Sequence, residues 1–206
     1  MAHTRVVDAA TSSEPGARSP DVEREEGTGR TVDVVLELLR TLGHIESVNA
    51  NTGNLLHHSL RTATLAEQDG ADDQLVVAAL CHDIGSAVRG HDRHGRLSAE
   101  IIRPYVRSEI SWAVSVHEDF IARHRRAGLR RHARYRHRLR RHYRLARRFV
   151  DEWDVAANRD SGDFQPLAHF EPRLRRVLAA PLPRRSRKRR LFELATRRRG
   201  GPADDS

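Results

Sequence analysis

Seven consecutive apolar residues, Leu75-Val76-Val77-Ala78-Ala79-Leu80-Cys81, run directly into His82-Asp83. A helix that is apolar on every side belongs at the centre of a bundle, because no face of it suits water. Its end then carries an imidazole and a carboxylate into the interior. An unpaired buried carboxylate costs several kcal/mol or more, so the pair needs partners, and a metal cation is one such partner. Asp83 could bridge two cations with its two oxygens, whereas a neutral His82 serves one. A backbone hydrogen bond at a helix end is the plainer alternative for a lone His-Asp pair.

The rest of the chain reads as helices around this one. Aromatic residues are only 5%, so the core must rest on Leu, Val, Ile and Ala. Residues 1–30 are expected to form a disordered leader, rich in Ser, Gly, Pro and charge. A helix is expected after Thr31, with Val34, Val35, Leu38, Leu39 and Leu42 facing inward before Gly43. A second begins near Asn54, with Leu56, Leu60, Ala63 and Ala66 or Leu65 inside, and ends at Asp69-Gly70. Asp72 is the expected N-cap of the apolar helix. Further helices are expected over His94–Tyr105, from a Ser108 cap through His117, over Phe149–Ala157 and over Leu167–Leu178. The folded unit is therefore an all-α bundle over residues 31–180, followed by a basic, disordered tail over 181–206.

Charge is distributed unevenly. The chain has a net charge of +9, yet residues 121–150 hold thirteen arginines and no acid, so the remainder is net acidic. An Arg-rich, mostly solvated helix is expected over 122–148, on a thin stripe of Leu129, Leu139, Tyr143 and Leu145. Nucleic acid bound through residues 123–148 is the less favoured reading, because two tyrosines among so many arginines make no stacking platform. A basic face that attracts an anionic substrate is another. His124, His132, His137 and His142 in this block form no closed metal tetrad. The single cysteine, Cys81, cannot form an internal disulfide, and no apolar run approaches the ~20 residues of a membrane span. No membrane association and a cytoplasmic location are expected.

Four further residues make the His-Asp pair informative: His58 in the helix before, His94 at the start of the helix after, His117 on the next apolar face, and Asp154 following Trp153. The strings Leu56-His57-His58-Ser59-Leu60-Arg61-Thr62-Ala63 and Val77-Ala78-Ala79-Leu80-Cys81-His82-Asp83-Ile84-Gly85 resemble the HD-domain superfamily. The order His, His-Asp, His, His, Asp resembles its dinuclear members. The branch of mixed-valent di-iron oxygenases, which includes 2-amino-1-hydroxyethylphosphonate-cleaving and myo-inositol oxygenases, is closer still. Leu97-Ser98-Ala99 stands where that branch has Val-Gly-Ala, and Trp153-Asp154-Val155-Ala156-Ala157-Asn158 stands where it has Trp-Asp-Asp-Ala-Ala-Lys. The likeness covers about residues 50–180.

The resemblance implies an HD-domain fold and six metal ligands, His58, His82, Asp83, His94, His117 and Asp154, with Asp83 also catalytic as the bridge. It implies two metal ions, an Fe(II)/Fe(III) pair, or Mn or Mg for a hydrolase, and a small polar or anionic substrate. His91 is an alternative to His94 in the same loop. His57, Arg61, Arg93, His91 and Glu118 are candidate substrate contacts, each of which also reads as an ordinary solvated side chain. The branch's substrate shell is not preserved. Val48 and Asn51 replace its lid Tyr and Glu, Ile121 its substrate-gripping Lys and Asn158 its terminal Lys. Oxygenation, phosphate-ester hydrolysis and a degenerate domain with a binding helix are the resulting functional expectations.

Overall fold

The computed structural model describes residues 20–47, 53–90, 93–121, 137–159, 162–179 and 181–183. The expectations for residues 1–19 and 184–206 lie outside these, as do Val48, Asn51, His91 and the arginines of 122–136. Among the described residues every regular element is helical, and the one bridge, between Glu46 and Asn54, is isolated. The elements are α1 (Pro20–Leu42), α2 (Leu55–Gln68), α3 (Asp73–Cys81), α4 (Ser86–Arg89), α5 (His94–Ile102), α6 (Ser108–Phe120) and α7 (Tyr143–Arg148). A π-helical turn (Phe149–Asp154), α8 (Val155–Ala157) and α9 (Leu167–Leu178) complete them.

α3 is the axis of the bundle, with Leu75 to Cys81 all buried, as an all-round apolar helix requires. Asp72 caps it by accepting from the Leu75 amide at 3.1 Å. Asn54 caps α2 in the same way, through the His57 amide at 2.9 Å. α2 ends in a Schellman arrangement: Gly70 adopts φ 70°, and the Ala71 and Gly70 amides bond to the Ala66 and Glu67 carbonyls. α2, α6 and α9 pack on α3, and α5 packs on α6. At the outer ends of α2 and α3, Arg173 of α9 pairs with Glu67 and with Asp73 (2.8 Å).

Several boundaries differ from the sequence expectations. α1 begins at Pro20, inside the stretch expected to be disordered. Its buried stripe is Val32, Val35, Leu36, Leu39 and Leu42, leaving Val34 exposed. α5 stops at Ile102 rather than Tyr105, since Pro104 has no N–H for a continuing helix. Ser108 is the first residue of α6 rather than its cap, a position held by Arg107. The expected long basic helix does not extend through residues 137–142, which form turns, and α7 starts only at Tyr143. Leu139, expected on its apolar stripe, is 96% exposed. No described helix is long and apolar enough to cross a membrane.

Candidate metal centre

Where α3 ends, His82 and Asp83 enter a tight turn that carries the chain to α4, and both are buried. α2 brings His58 alongside, its Nε2 3.2 Å from that of His82. The π-helical turn delivers Asp154, whose Oδ1 lies 3.3 Å from His58 Nε2 and 3.9 Å from His82 Nε2. α5 opens with His94, its Nε2 2.9 Å from Asp83 Oδ1, and α6 supplies His117 Nε2 at 3.5 Å from that oxygen. The His94 and His117 Nε2 atoms are 3.2 Å apart.

The six side chains thus converge in two halves. Asp83 divides between them, Oδ1 facing His94 and His117, and Oδ2 facing His82 at 3.4 Å and His58 at 3.8 Å. The tautomers of two imidazoles follow from their neighbours. His82 Nδ1 donates to the Ala79 carbonyl and His117 Nδ1 to the Val114 carbonyl, each at 2.8 Å. In the neutral ring this leaves Nε2 as a lone pair aimed at the cluster.

Lone pairs and carboxylate oxygens gathered in a buried space repel one another unless a proton or a cation lies among them. Asp154 Oδ2 and Asp83 Oδ1 accept no well-directed hydrogen bond, although His94 Nε2 stands close to the latter. A set of neutral imidazoles and carboxylates with unfilled acceptor capacity suits a divalent cation. His58, His82 and Asp154 form one group able to hold metal, and His82, Asp83 and His117 another.

Charge in the cluster follows its packing. Burial pushes the His82 imidazole down to about 4, against the opposing pull of Asp83 and Asp154, so that ring is neutral. Burial also works against ionising Asp83, but His82, His117 and His94 outweigh it and hold the carboxyl well below its usual range. Asp154 is lowered in the same way against burial, chiefly by the hydrogen bond with His58. His58 and His117 are raised. Burial opposes this, but Asp154 beside His58 and Asp83 beside His117 prevail.

Two glycines let the elements close around the cluster. A methyl group at Gly95 would lie 2.7 Å from His117 Cε1 and 3.0 Å from the Val114 carbonyl oxygen. One at Gly85 would collide with the His94 carbonyl, and the Gly85 amide donates to Ser98 Oγ at 2.9 Å. The π-helical turn is anchored from outside. Trp153 Nε1 and Arg148 both donate to Asp69 at the end of α2, at 3.0 and 2.6 Å, with Arg148 over the Trp153 ring.

The other candidates fall elsewhere. Glu118 faces His94 Nδ1 at 3.2 Å, so it supports a clustered histidine. Arg61, a candidate substrate contact whose plainer reading is a solvated side chain, is 6% exposed. His57 sits outside the cluster, its ring 5.2 Å from that of Phe164. Arg93 is exposed in a left-handed conformation (φ 55°) before α5. Asn158 donates to the Asp154 carbonyl, and Ile121 ends α6. His137 bonds Asp119 at 2.7 Å and stacks on Phe120, away from the cluster. The roles of Glu118, Gly95 and Asp69 were missed in the sequence, where only the adjacency of Gly95 to His94 hinted at close approach.

Comparison with known proteins places this region of the chain in a family. The HD domain family matches residues 55–159, a span that begins with α2 and contains all six clustered side chains. The chain is also similar to Ribonuclease Y of Lactobacillus helveticus (strain DPC 4571), with 35% identity over 82 residues. That alignment covers 36% of this chain and 15% of the relative, so the chain spans only a small part of that protein's length.

Proposed function

The chain belongs to the HD-domain family, whose members bind divalent metal ions, and from that premise we propose that it is a dinuclear metal-dependent enzyme acting on a small polar or anionic substrate. The division of Asp83's two oxygens between two histidine pairs carries the proposal. His58, His82, Asp154 and Asp83 Oδ2 would hold one ion, and His94, His117 and Asp83 Oδ1 would hold the other. Burial of the ligands favours a small substrate over a polynucleotide threaded past them, and nucleic acid at residues 123–148 remains the less favoured partner.

The finer reading is O2-dependent oxygenation at an Fe(II)/Fe(III) pair. It is supported by the wording of two stretches, Leu60-Arg61-Thr62-Ala63 and Trp153-Asp154-Val155-Ala156-Ala157, which resemble the di-iron branch. The replaced substrate shell, seen at Ile121 and Asn158, argues for a different substrate from the phosphonate-cleaving members. Phosphate-ester hydrolysis with Mn or Mg is the second reading, favoured by the similarity to a ribonuclease. Bound ions would supply either one-electron chemistry with O2 or a water whose pKa falls toward ~7. The chain's own part is common to both. It keeps His82 neutral, keeps Asp83 and Asp154 ionised, and fixes the ring tautomers through the Ala79 and Val114 carbonyls.

Elemental analysis and EPR of anaerobically purified protein test the proposal. Two irons per chain with a mixed-valent signal, and substrate-dependent O2 uptake, are expected for oxygenation. Two Mn or Mg ions with turnover of a phosphate monoester would establish hydrolysis instead. A protein that binds no metal at micromolar concentrations would overturn both.

A further inference from the structure

Arg61 is the least compensated charge in the interior. It is 6% exposed, yet among the described residues no carboxylate lies within ion-pair distance of it. Nη1 reaches the Ala157 carbonyl at a long 3.4 Å, and Nε is buried without a partner. A guanidinium carries five donors, and a buried cation left this poorly paired is costly. Its remaining neighbour is the ring of Phe164, with the guanidinium carbon 5.2 Å from the centroid. The Phe164 segment is tied to α2 by the Gln165 amide, which donates to Thr64 Oγ1 at 3.0 Å. His57 borders the same ring on its other approach.

Position relates this cation to the metal centre. Arg61 follows His58 by three residues on α2, and Ala157 follows Asp154 by three in the segment facing it. Each offset is close to one helical turn, about 5 Å along the axis. The backbones of Arg61 and Ala157 therefore lie roughly one turn along from His58 and Asp154, and the guanidinium meets the Ala157 carbonyl there. Phe164 stacks on it and orients its fork.

We propose that Arg61, stacked on Phe164, is an oxyanion subsite beside the metal centre, gripping a phosphate or carboxylate group while another part of the same small molecule faces the metals. The subsite deepens the dinuclear reading and rests on it for the substrate's second point of attachment. It accounts for a buried cation that the bundle does not otherwise need, since one long bond to a helix-end carbonyl could be made by a neutral side chain. Arginine's paired N–H groups match two oxygens of an oxyanion at once, which lysine cannot do.

The test is calorimetric titration of the metal-loaded protein with inorganic phosphate and, separately, with acetate, comparing wild type with Arg61→Gln and Arg61→Lys. Phosphate or acetate binding should weaken roughly ten- to hundredfold in Arg61→Gln, with metal content unchanged, and recover in part in Arg61→Lys. The anion showing the larger loss identifies the group the subsite takes. Equal affinity in wild type and Arg61→Gln at equal metal content would overturn the subsite, leaving Arg61 as a helix-end support. Should Arg61→Gln fail to fold, Phe164→Leu keeps the cation but removes its stacking partner. Unchanged anion affinity in that variant would overturn the proposal equally. The same titration on chelator-treated protein separates the two readings. Arg61-dependent phosphate binding there upholds the subsite even where metal analysis fails, and a metal-loaded protein with Arg61-independent binding sinks the subsite alone.

Discussion

The two halves of the cluster use the same kinds of donor but are supported very differently. His58, His82 and Asp154 come from α2, the end of α3 and the π-helical turn, and all three lie within the packed interior. Their positions are inherited from the core, with Trp153 and Arg148 clamped to Asp69 behind Asp154. His117 is also buried, on α6, but His94 and its fit against His117 depend on local devices. His94 starts a helix whose N-cap, Arg93, makes no side-chain cap, and its side chain is 13% exposed. What holds this half is the bare backbone of Gly95 against His117, and the Glu118 carboxylate at His94. Donors set by global packing should hold metal with little dependence on any one neighbour, whereas donors set by local contacts should yield to single changes.

The largest effect should come from removing what both halves share. His82→Ala together with Asp83→Ala is expected to abolish binding of both ions and to lower the melting temperature of metal-loaded protein to that of the metal-free form. Retained stoichiometry in elemental analysis would refute the shared bridge. Gly95→Ala should separate the halves. Its methyl has no room beside the His117 ring, overpacking of this kind costs about 1–3 kcal/mol, and one of the two ions should be lost. A variant that still binds two ions with wild-type affinities would show the second half to be as core-determined as the first. Glu118→Gln is milder. The weaker-binding ion should lose affinity roughly 10- to 100-fold with the tighter one unchanged, a difference that competition with a chelator can resolve.

The smallest effect concerns protons. His58 and His117, one in each half, titrate above their ordinary 6.5 in the metal-free protein. Their contribution to stability is full below 6.5 and is lost as pH rises through the raised values. Metal binding needs the neutral rings, so it should release protons near pH 6.5 and become tighter as pH rises. His82, already neutral with a value of about 4, should add none. Calorimetry in buffers of different ionisation heat would register the release, and its absence would contradict the ionic balance assigned to the two halves.

Much of this was legible in the chain itself, for physical reasons. An all-round apolar helix has one place to go, so α3 and the buried His82-Asp83 followed from composition alone. Asp72 was readable as a cap, and Asn54 as the start of a helix, because capping is a local interaction. The sequence-distant supports were not readable. Trp153 meets Asp69 at a sequence separation of 84, a pairing that no periodicity encodes. Arg61 reads in the sequence as a substrate contact or as an ordinary solvated side chain, and only the packing of Phe164 and Ala157 around it shows it to be buried. Val34, expected inside α1, is exposed while Val32 and Leu36 are buried, because a helical stripe read from one short window can be rotated by a residue. The turns at 137–142 interrupt a run that composition alone presents as continuous.

The widened coil from Phe149 to Asp154 carries a further consequence for how this chain can change. A π-helical turn accommodates one residue more than an α-turn, and each residue of an α-helix rotates the chain by about 100°. Deleting a single residue between 149 and 153 would let the backbone relax to ordinary winding. Because that loss and the tighter winding compensate each other, the Asp154 carboxylate would stay aimed near His58. A residue added to the stretch has no such compensation and would turn the carboxylate by about that angle. The segment should therefore accept the loss of one residue more readily than a gain.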